Sequence, residues 1–412
     1  MLFWQKRGSV VQKYSKVHRQ KKIKFLIRAG ISCGVILAVV LAGVVFAKFV
    51  HITKINEKPV VKIENPFVPD EVSLVMVGDN LLHTPLIKNA EREDGTLNFD
   101  SLYEEMVPYF QEADISVIVQ ETVLGGKELG YSGYPMFNSP QEVGDSLVRA
   151  GFDVVLHSTN HTLDKGAKGV ENTLKFWKKY PEVTILGINE SIEKQNSITY
   201  LEKNNIKFAL LNYTDSTNGI PKPYGKEYLV NTVNEDKIRD DLAIAEQNAE
   251  FTIVFMHWGT EYSLKETEFQ TNLATMMCEN GADLILGSHP HVLEPVKWVE
   301  TENGNKALVY YSLGNYVSRQ KEANNLLGGM ASVKISRNKD DLLYIKEASI
   351  MPIVTHYNTH SRGFRVYPLK DYTDELASQH GVNQFDGKVS VERFKSTFEK
   401  VFKGNTAVTL DY

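Results

Sequence analysis

Cysteine is almost missing from this chain, with only Cys33 and Cys278 among 412 residues. A small fold stapled by disulfides is thereby excluded. Acidic residues are missing too, but from one end only. Residues 1–52 carry ten Lys/Arg and no Asp or Glu. The other 36 Lys/Arg face all 51 Asp/Glu, which leaves residues 53–412 at −15. An acidic body of that size argues against nucleic acid as a partner. There is no internal repeat and no low-complexity tract. With 42% hydrophobic and 24% charged residues, the composition also excludes a collagen-like or disordered chain.

Long apolar runs are absent with a single exception. Ala29–Ala47 (AGISCGVILAVVLAGVVFA) holds 19 residues without a charge. As a helix it would span roughly 28 Å, against ~30 Å for a bilayer's apolar layer. Nine Lys/Arg precede it and only Lys48 comes closely after, so the positive-inside rule keeps the N-terminus cytoplasmic. The expectation is a basic cytoplasmic tail (1–28), a transmembrane helix (29–47) and a single-pass plasma-membrane protein whose C-terminal domain is extracytoplasmic. The lengths of the basic and apolar stretches favour an uncleaved signal anchor over a cleaved signal peptide. Cys33 lies in the span and Cys278 in a helical pattern beyond it, so no bridge between them is expected. Cys278 reads as a small buried apolar side chain. Residues 48–70 mix charge with three prolines and read as a stalk.

From Glu71 the pattern is strand, loop, helix, repeated. Short β-branched runs occur at Val72–Val77, Ile115–Val119, Val154–Leu156, Thr184–Ile188, Lys207–Asn212, Thr252–Met256, Leu284–Leu286 and Ala307–Tyr311. Amphipathic helical stretches alternate with them at Pro140–Ala150, Lys168–Lys179, Glu235–Asn248 and Lys265–Asn280. Such alternation predicts an α/β domain with covered sheets. Past Ser318 the pattern loosens. Met330–Arg337 and Tyr344–Ile350 are expected to pair as strands, and Val391–Phe402 to close the chain as a helix. The division is a domain over 71–320 and a C-terminal extension over 321–412 that completes it.

The chemistry-bearing residues stand at the ends of the apolar runs. The first runs into Gly78-Asp79-Asn80 and the second into Gln120-Glu121-Thr122. The third leads to His157-Ser158-Thr159-Asn160-His161, with Asp164 beyond. Two later runs end in His257-Trp258-Gly259-Thr260-Glu261-Tyr262 and Gly287-Ser288-His289-Pro290-His291. Ligands of α/β sheets bind outside the carboxyl ends of strands, so these five ends are expected to converge. Each piece alone has an ordinary reading: a turn at Gly78-Asp79, a capping Glu121, a self-satisfied Asn160-His161 loop, a core His257. Together, Asp, Glu, Asn and His without thiolates form an oxygen/nitrogen set suited to Mn, Fe or Zn. His289 and His291, two apart, are expected on one side of an extended chain. His18, His51, His83, His356, His360 and His380 have no comparable setting and read as surface or structural.

In order along residues 72–318, these segments and Tyr311-Ser312-Leu313-Gly314-Asn315-Tyr316 resemble the poly-γ-glutamate capsule-synthesis protein family (CapA/PgsA). That family in turn is similar to calcineurin-like metallophosphoesterases. The resemblance implies a four-layer α/β/β/α sandwich, on the N-terminal transmembrane anchor. It implies Asp79, Glu121, Asn160, His257, His289 and His291 as metal ligands. His161 becomes the general acid, with Asp164 of the same motif set beside it in the catalytic group. Glu261, Tyr262 and Asn315 are substrate contacts or supports of the ligands. Two departures from the phosphoesterase pattern, Leu81 where an Asp-x-His motif has histidine and Glu121 where the bridging acid is usually Asp, leave the count at one or two divalent ions.

Two functions stand side by side. One is a metal-dependent, phosphoesterase-like hydrolase acting on an anionic envelope polymer or its precursor, beside other membrane-bound polymer-synthesis proteins. The other is a non-catalytic factor that binds or exports the polymer through the same metal site. A retained fold without chemistry is weighed against by the intact His-Pro-His and Asn-His pairs.

Overall fold

The computed structural model describes residues 70–412. The expected tail and transmembrane helix, and all but the last residue of the stalk, lie outside the described residues. Among the described residues, no helix is long and apolar enough to cross a membrane.

Four short apolar runs become the parallel strands β1 (Glu71–Asn80), β2 (Ile115–Val119), β3 (Val154–Leu156) and β4 (Thr184–Leu186), side by side in that order. The chain then leaves for a second, six-stranded sheet made of β5 (Thr199–Lys203), β6 (Ile206–Thr214), β7 (Phe251–His257), β8 (Leu284–Ser288), β9 (Val296–Glu300) and β10 (Lys306–Tyr310). Its strand order is β5-β6-β7-β8-β10-β9. The four central strands are parallel, and β5 and β9 pair antiparallel at the edges. β5 turns into β6 through Asn204-Asn205, both at positive φ, the tight hairpin turn that asparagine tolerates.

The chain returns to the first sheet with β11 (Asn315–Val317), β12 (Leu327–Arg337), β13 (Leu343–His356), β14 (Arg365–Pro368) and β15 (Thr409–Leu410). β12 lies antiparallel to β1 from Glu71 to Val77. Past that point β11 takes its place, with Asn315 paired to Asp79. The expected pairing of Met330–Arg337 with Tyr344–Ile350 is the β12–β13 ladder, and the closing helix is Val391–Val401.

Side chains alternate across a strand, and the second sheet divides its apolar residues accordingly. Phe208, Leu210, Ile253, Phe255, Leu284, Leu286, Leu308 and Tyr310 share one core with Leu74 and Met76 of β1 and Val117 of β2. Their alternates Leu211, Tyr213, Val254, Met256, Ile285 and Val309 pack under the helices Glu235–Asn248 and Glu268–Glu279. Cys278 is buried there as a free thiol. Both sheets are therefore mixed, and they share a core that brings the carboxyl ends of β1, β2 and β3 opposite those of β7 and β8.

Strands β5, β9 and β11 carry no clear apolar signal. β5 and β9 are half-exposed edge strands, and β11 has three residues only. Packing and pairing partners, rather than local preference, make them strands.

Candidate metal centre

Each expected donor sits at or just past a strand end. Asp79 is the next-to-last residue of β1, Glu121 lies two residues beyond β2, and Asn160 and His161 come after β3 by a short turn. His257 closes β7, and His289 and His291 come directly after β8. All seven are buried. Asp79, Glu121 and His291 form a tight group whose ligand atoms lie within 4.8 Å of one another. His257 reaches both carboxylates, with Nδ1 3.7 Å from Asp79 Oδ1 and Nε2 3.9 Å from Glu121 Oε1. Asn160 Oδ1 and His289 Nδ1 approach His257 Nε2 at 3.0 and 3.2 Å. The six residues that the resemblance marks as ligands therefore stand together, drawn from both sheets.

Hydrogen bonds behind the donors set their orientation. Asn160 Nδ2 donates to Asn218 Oδ1 at 3.2 Å, which turns its Oδ1 inward. Ser288 Oγ lies 2.9 Å from His257 Nδ1 and 3.4 Å from the Met256 carbonyl, so it holds the imidazole ring in place. Asn315 Nδ2 donates to Gln320 Oε1 and to the Asn325 carbonyl, leaving its Oδ1 3.0 Å from His291 Nδ1.

His289 and His291 are not on an extended chain, contrary to the expectation. Their φ values are 98° and 60°, and Tyr262 opposite them has φ 67°. Non-glycine residues adopt this region at a cost, so surrounding bonds must hold them. The His289 N–H donates to Asp79 Oδ2 at 3.2 Å, and the Tyr262 N–H donates to the Pro290 carbonyl at 2.7 Å. Both imidazoles still face the centre, but through two bends rather than through strand alternation.

Asp79 Oδ1 and both Glu121 carboxylate oxygens are buried with no hydrogen-bond partner among the described residues. Burial, with Asp79 close by, pushes the Glu121 carboxyl well above its ordinary range, against the opposing pull of His291. Burial, reinforced by His289 and His291, takes the His257 imidazole well below its usual value. Burial, with His291 adding, lowers His289 to about 4. Burial also acts to lower His291, but Glu121 and Asp79 outweigh it and lift it to about 9. Two buried carboxylates ringed by imidazoles and an amide form a set that a divalent cation satisfies, so the residues fit a metal.

His161 and Asp164 stand at the edge of this group. His161 Nδ1 lies 2.7 Å from Asp164 Oδ2, which also accepts the Phe137 N–H at 2.7 Å. His161 Nε2 faces Glu121 Oε1 at 4.0 Å. The Phe137 ring meets the imidazole edge-on, at 4.7 Å between centroids. Tyr262 is half-exposed beside His291, with 6.1 Å between ring centroids, and Glu261 is exposed next to it. Asn218, Ser288, Phe137 and Gln320 are contributors that sequence reasoning missed. Ser288 lies inside the Gly-Ser-His-Pro-His run and was within reach of it. The others come from loops with no local signature. His83, read as structural, lies beside the site, 5.4 Å from the Phe137 ring.

Residues 73–320 match the family described as "Bacterial capsule synthesis protein PGA_cap". The "Capsule biosynthesis protein CapA" of Bacillus anthracis is 28% identical over 259 residues, covering 61% of each chain. The "PGA biosynthesis protein CapA" of Bacillus subtilis (strain 168) is 29% identical over 276 residues, covering 63% of this chain and 67% of that one. The match thus spans about three fifths of the anthracis protein's length. Among solved structures, the NAD nucleotidase of Haemophilus influenzae is similar with TM-score 0.45 and 11% identity, over 84% of this chain and 64% of that one. A 5'-nucleotidase precursor from Thermus thermophilus gives 0.42 and 11%, over 81% and 59%. The family match takes in well over half of the 412 residues, includes all six donors, and makes this protein a member of the bacterial capsule synthesis PGA_cap family.

Proposed function

We propose that this protein acts in the synthesis of an anionic capsule or envelope polymer of the poly-γ-glutamate type, as a metal-dependent, phosphoesterase-like hydrolase of the polymer or its precursor. In this reading it is a single-pass plasma-membrane protein anchored by residues 29–47. Its external domain has the four-layer, calcineurin-like arrangement and works beside other membrane-bound polymer-synthesis proteins. The names of the two Bacillus relatives support the capsule assignment. The observation that carries the chemistry is the pair of buried carboxylates with unpartnered oxygens, encircled by His257, His289, His291 and Asn160.

Asp79, Glu121, Asn160, His257, His289 and His291 would hold one or two divalent ions, Mn, Fe or Zn. Such an ion supplies Lewis-acid polarisation of a phosphoryl oxygen. The chain's own acid is His161. Its Nδ1–H donates to Asp164, which fixes the ring with Nε2 toward the centre, and a protonated Nε2 delivers its proton to the departing oxygen. Asp164 is itself held by the Phe137 N–H, so the pair keeps its geometry before substrate arrives. A second reading, polymer binding or export without turnover, uses the same donors but needs neither His161 nor Asp164.

Metal content by mass spectrometry on the full-length chain, wild type beside His257→Ala/His289→Ala, tests the centre. Expected are one or two ions per chain, lost in the variant, together with phosphodiesterase activity that depends on which ion is supplied. Bound metal without turnover across a metal series moves the assignment to the second reading. No metal after reconstitution with each ion sinks both.

A further inference from the structure

The segment that leaves β11 runs along the mouth of the centre. Gln320 donates to Tyr262 Oη at 3.4 Å and accepts from Asn315, the residue behind His291. The neighbouring Arg319 N–H donates to His83 Nδ1 at 3.2 Å, and His83 reaches His161 through the Phe137 ring. Arg319 and Lys321 therefore flank a residue that touches the site from both sides.

These two cations are placed unlike an ordinary surface pair. The guanidinium lies over Tyr357 at 4.5 Å and Phe385 at 4.9 Å, and Lys321 Nζ lies 5.2 Å from the same Phe385 ring. Arg319 Nε donates to Ser361 Oγ at 2.8 Å. Among the described residues, its terminal nitrogens make no hydrogen bond, and no carboxylate is within ion-pair distance of either cation. Of the described arginines, Arg149, Arg239, Arg337, Arg365 and Arg393 have acidic partners, whereas Arg319, like Arg92 and Arg362, has none. Glu261 and Glu322 act on the Tyr262 hydroxyl and pair with neither cation. A guanidinium held over aromatic rings with its fork open is preorganised for the two oxygens of an anionic group.

We propose that Arg319 and Lys321 form an anion subsite at the edge of the metal centre. It takes a carboxylate or phosphate of the substrate. The proposal rests on the reading that an acidic polymer or its precursor is handled at this centre. It also answers the charge problem set by the −15 body, which repels a polyanion except where local cations receive it.

The test uses the full-length chain loaded with Mn²⁺, with calorimetric binding of penta-glutamate, penta-glutamine and inorganic phosphate. The proteins are wild type, Lys321→Gln, Arg319→Lys and Arg319→Gln/Lys321→Gln, each with metal content and Tm measured on the same sample. The double variant is expected to bind penta-glutamate roughly tenfold or more weakly with its metal retained. Lys321→Gln, at an exposed position, is expected to lose about threefold without a change in Tm. Arg319→Lys keeps the charge but not the fork, and is expected to fall between wild type and double variant. Loss confined to phosphate assigns the subsite to a phosphate group, and loss confined to penta-glutamate assigns it to a carboxylate. Equal binding of both anions by wild type, Lys321→Gln and the double variant overturns the proposal. A wild type that holds no metal yet still shows the cation-dependent binding would overturn the hydrolase reading and leave the subsite standing.

Discussion

At the scale of single residues, the His161–Asp164 pair separates catalysis from metal binding. His161→Asn is expected to lower kcat by roughly 10²- to 10³-fold, and Asp164→Asn by about 10- to 100-fold. Metal content should stay near wild type in both, because neither side chain is among the six proposed donors. A kcat that falls only in step with lost metal would contradict the assignment. Glu294 offers a second test, away from the ligands. Its carboxyl is buried behind the helix Glu268–Glu279, where Gln270 closes the capping box with Thr267 and donates to Glu294 Oε2 at 2.7 Å. Its other oxygen has no partner among the described residues. Burial pushes this carboxyl up to about 8, Gln270 opposing. A raised acid binds a proton more tightly folded than unfolded, so its contribution is complete below about pH 4.5 and drains away as pH rises toward 8. Glu294→Gln is therefore expected to match wild type in Tm near pH 4.5 and to exceed it by several degrees at pH 8.5. Parallel Tm curves across that range would refute the burial argument. The placement of the donor residues was legible in the sequence: Asp79, Glu121, Asn160, His257 and the His-Pro-His pair all stand at or just past strand ends, as the apolar runs before them imply. Backbone conformation was not, since the positive φ values of His289 and His291 depend on bonds to Asp79 and Tyr262 that no local pattern announces. Asn218 likewise reaches Asn160 from a loop 58 residues away.

At the scale of elements, β1 is the strand against which β2, β11 and β12 register. A Cβ at Gly78 would stand 1.8 Å from the Gly314 carbonyl oxygen, and both partners are backbone. The Asp79 N–H donates to that same carbonyl at 3.0 Å, so the close crossing is what sets Asp79 against Asn315. Gly78→Ala is expected to cost about 3 kcal/mol or to prevent folding, with metal lost alongside. Chemical denaturation and metal analysis of one preparation decide it, and wild-type values in both would show that the crossing can widen freely. The central strands were legible because their β-branched runs are buried on both faces. Which sheet each belongs to was not, because sheet membership is a matter of pairing partners that lie outside the local sequence, from Ile253 with Leu284 to Glu71 with Ser336. The helix Glu235–Asn248 matched its expected span, and Glu268–Glu279 fell inside the expected Lys265–Asn280. Edge strands β5 and β9 went unseen, being half-exposed and held by a single neighbour each.

At the scale of the whole molecule, the C-terminal segment 321–412 is structurally inseparable from the part that carries the donors. β12 pairs with β1 over seven residues and β13 extends that sheet, while Val333, Ile335, Ile350 and Ile353 share the main core. Ending the chain after Gln320 would strip one side of β1 and expose those contacts. The shortened protein is expected to be insoluble or to bind no metal, as read by size-exclusion chromatography and mass spectrometry. A folded, metal-loaded fragment would show that the first sheet closes without β12. The same pairing has a consequence in time. β1 begins at Glu71 and its antiparallel neighbour begins at Leu327, so the strand that carries Asp79 is made long before the strand it must lie against. At about 5–20 residues per second, that interval is on the order of 10–50 s. For the whole of it a nearly complete row of apolar side chains waits beside an open hydrogen-bonding edge. Early pairing with β2 covers only the other edge of β1, so the β12 side stays open until the C-terminal strands are made.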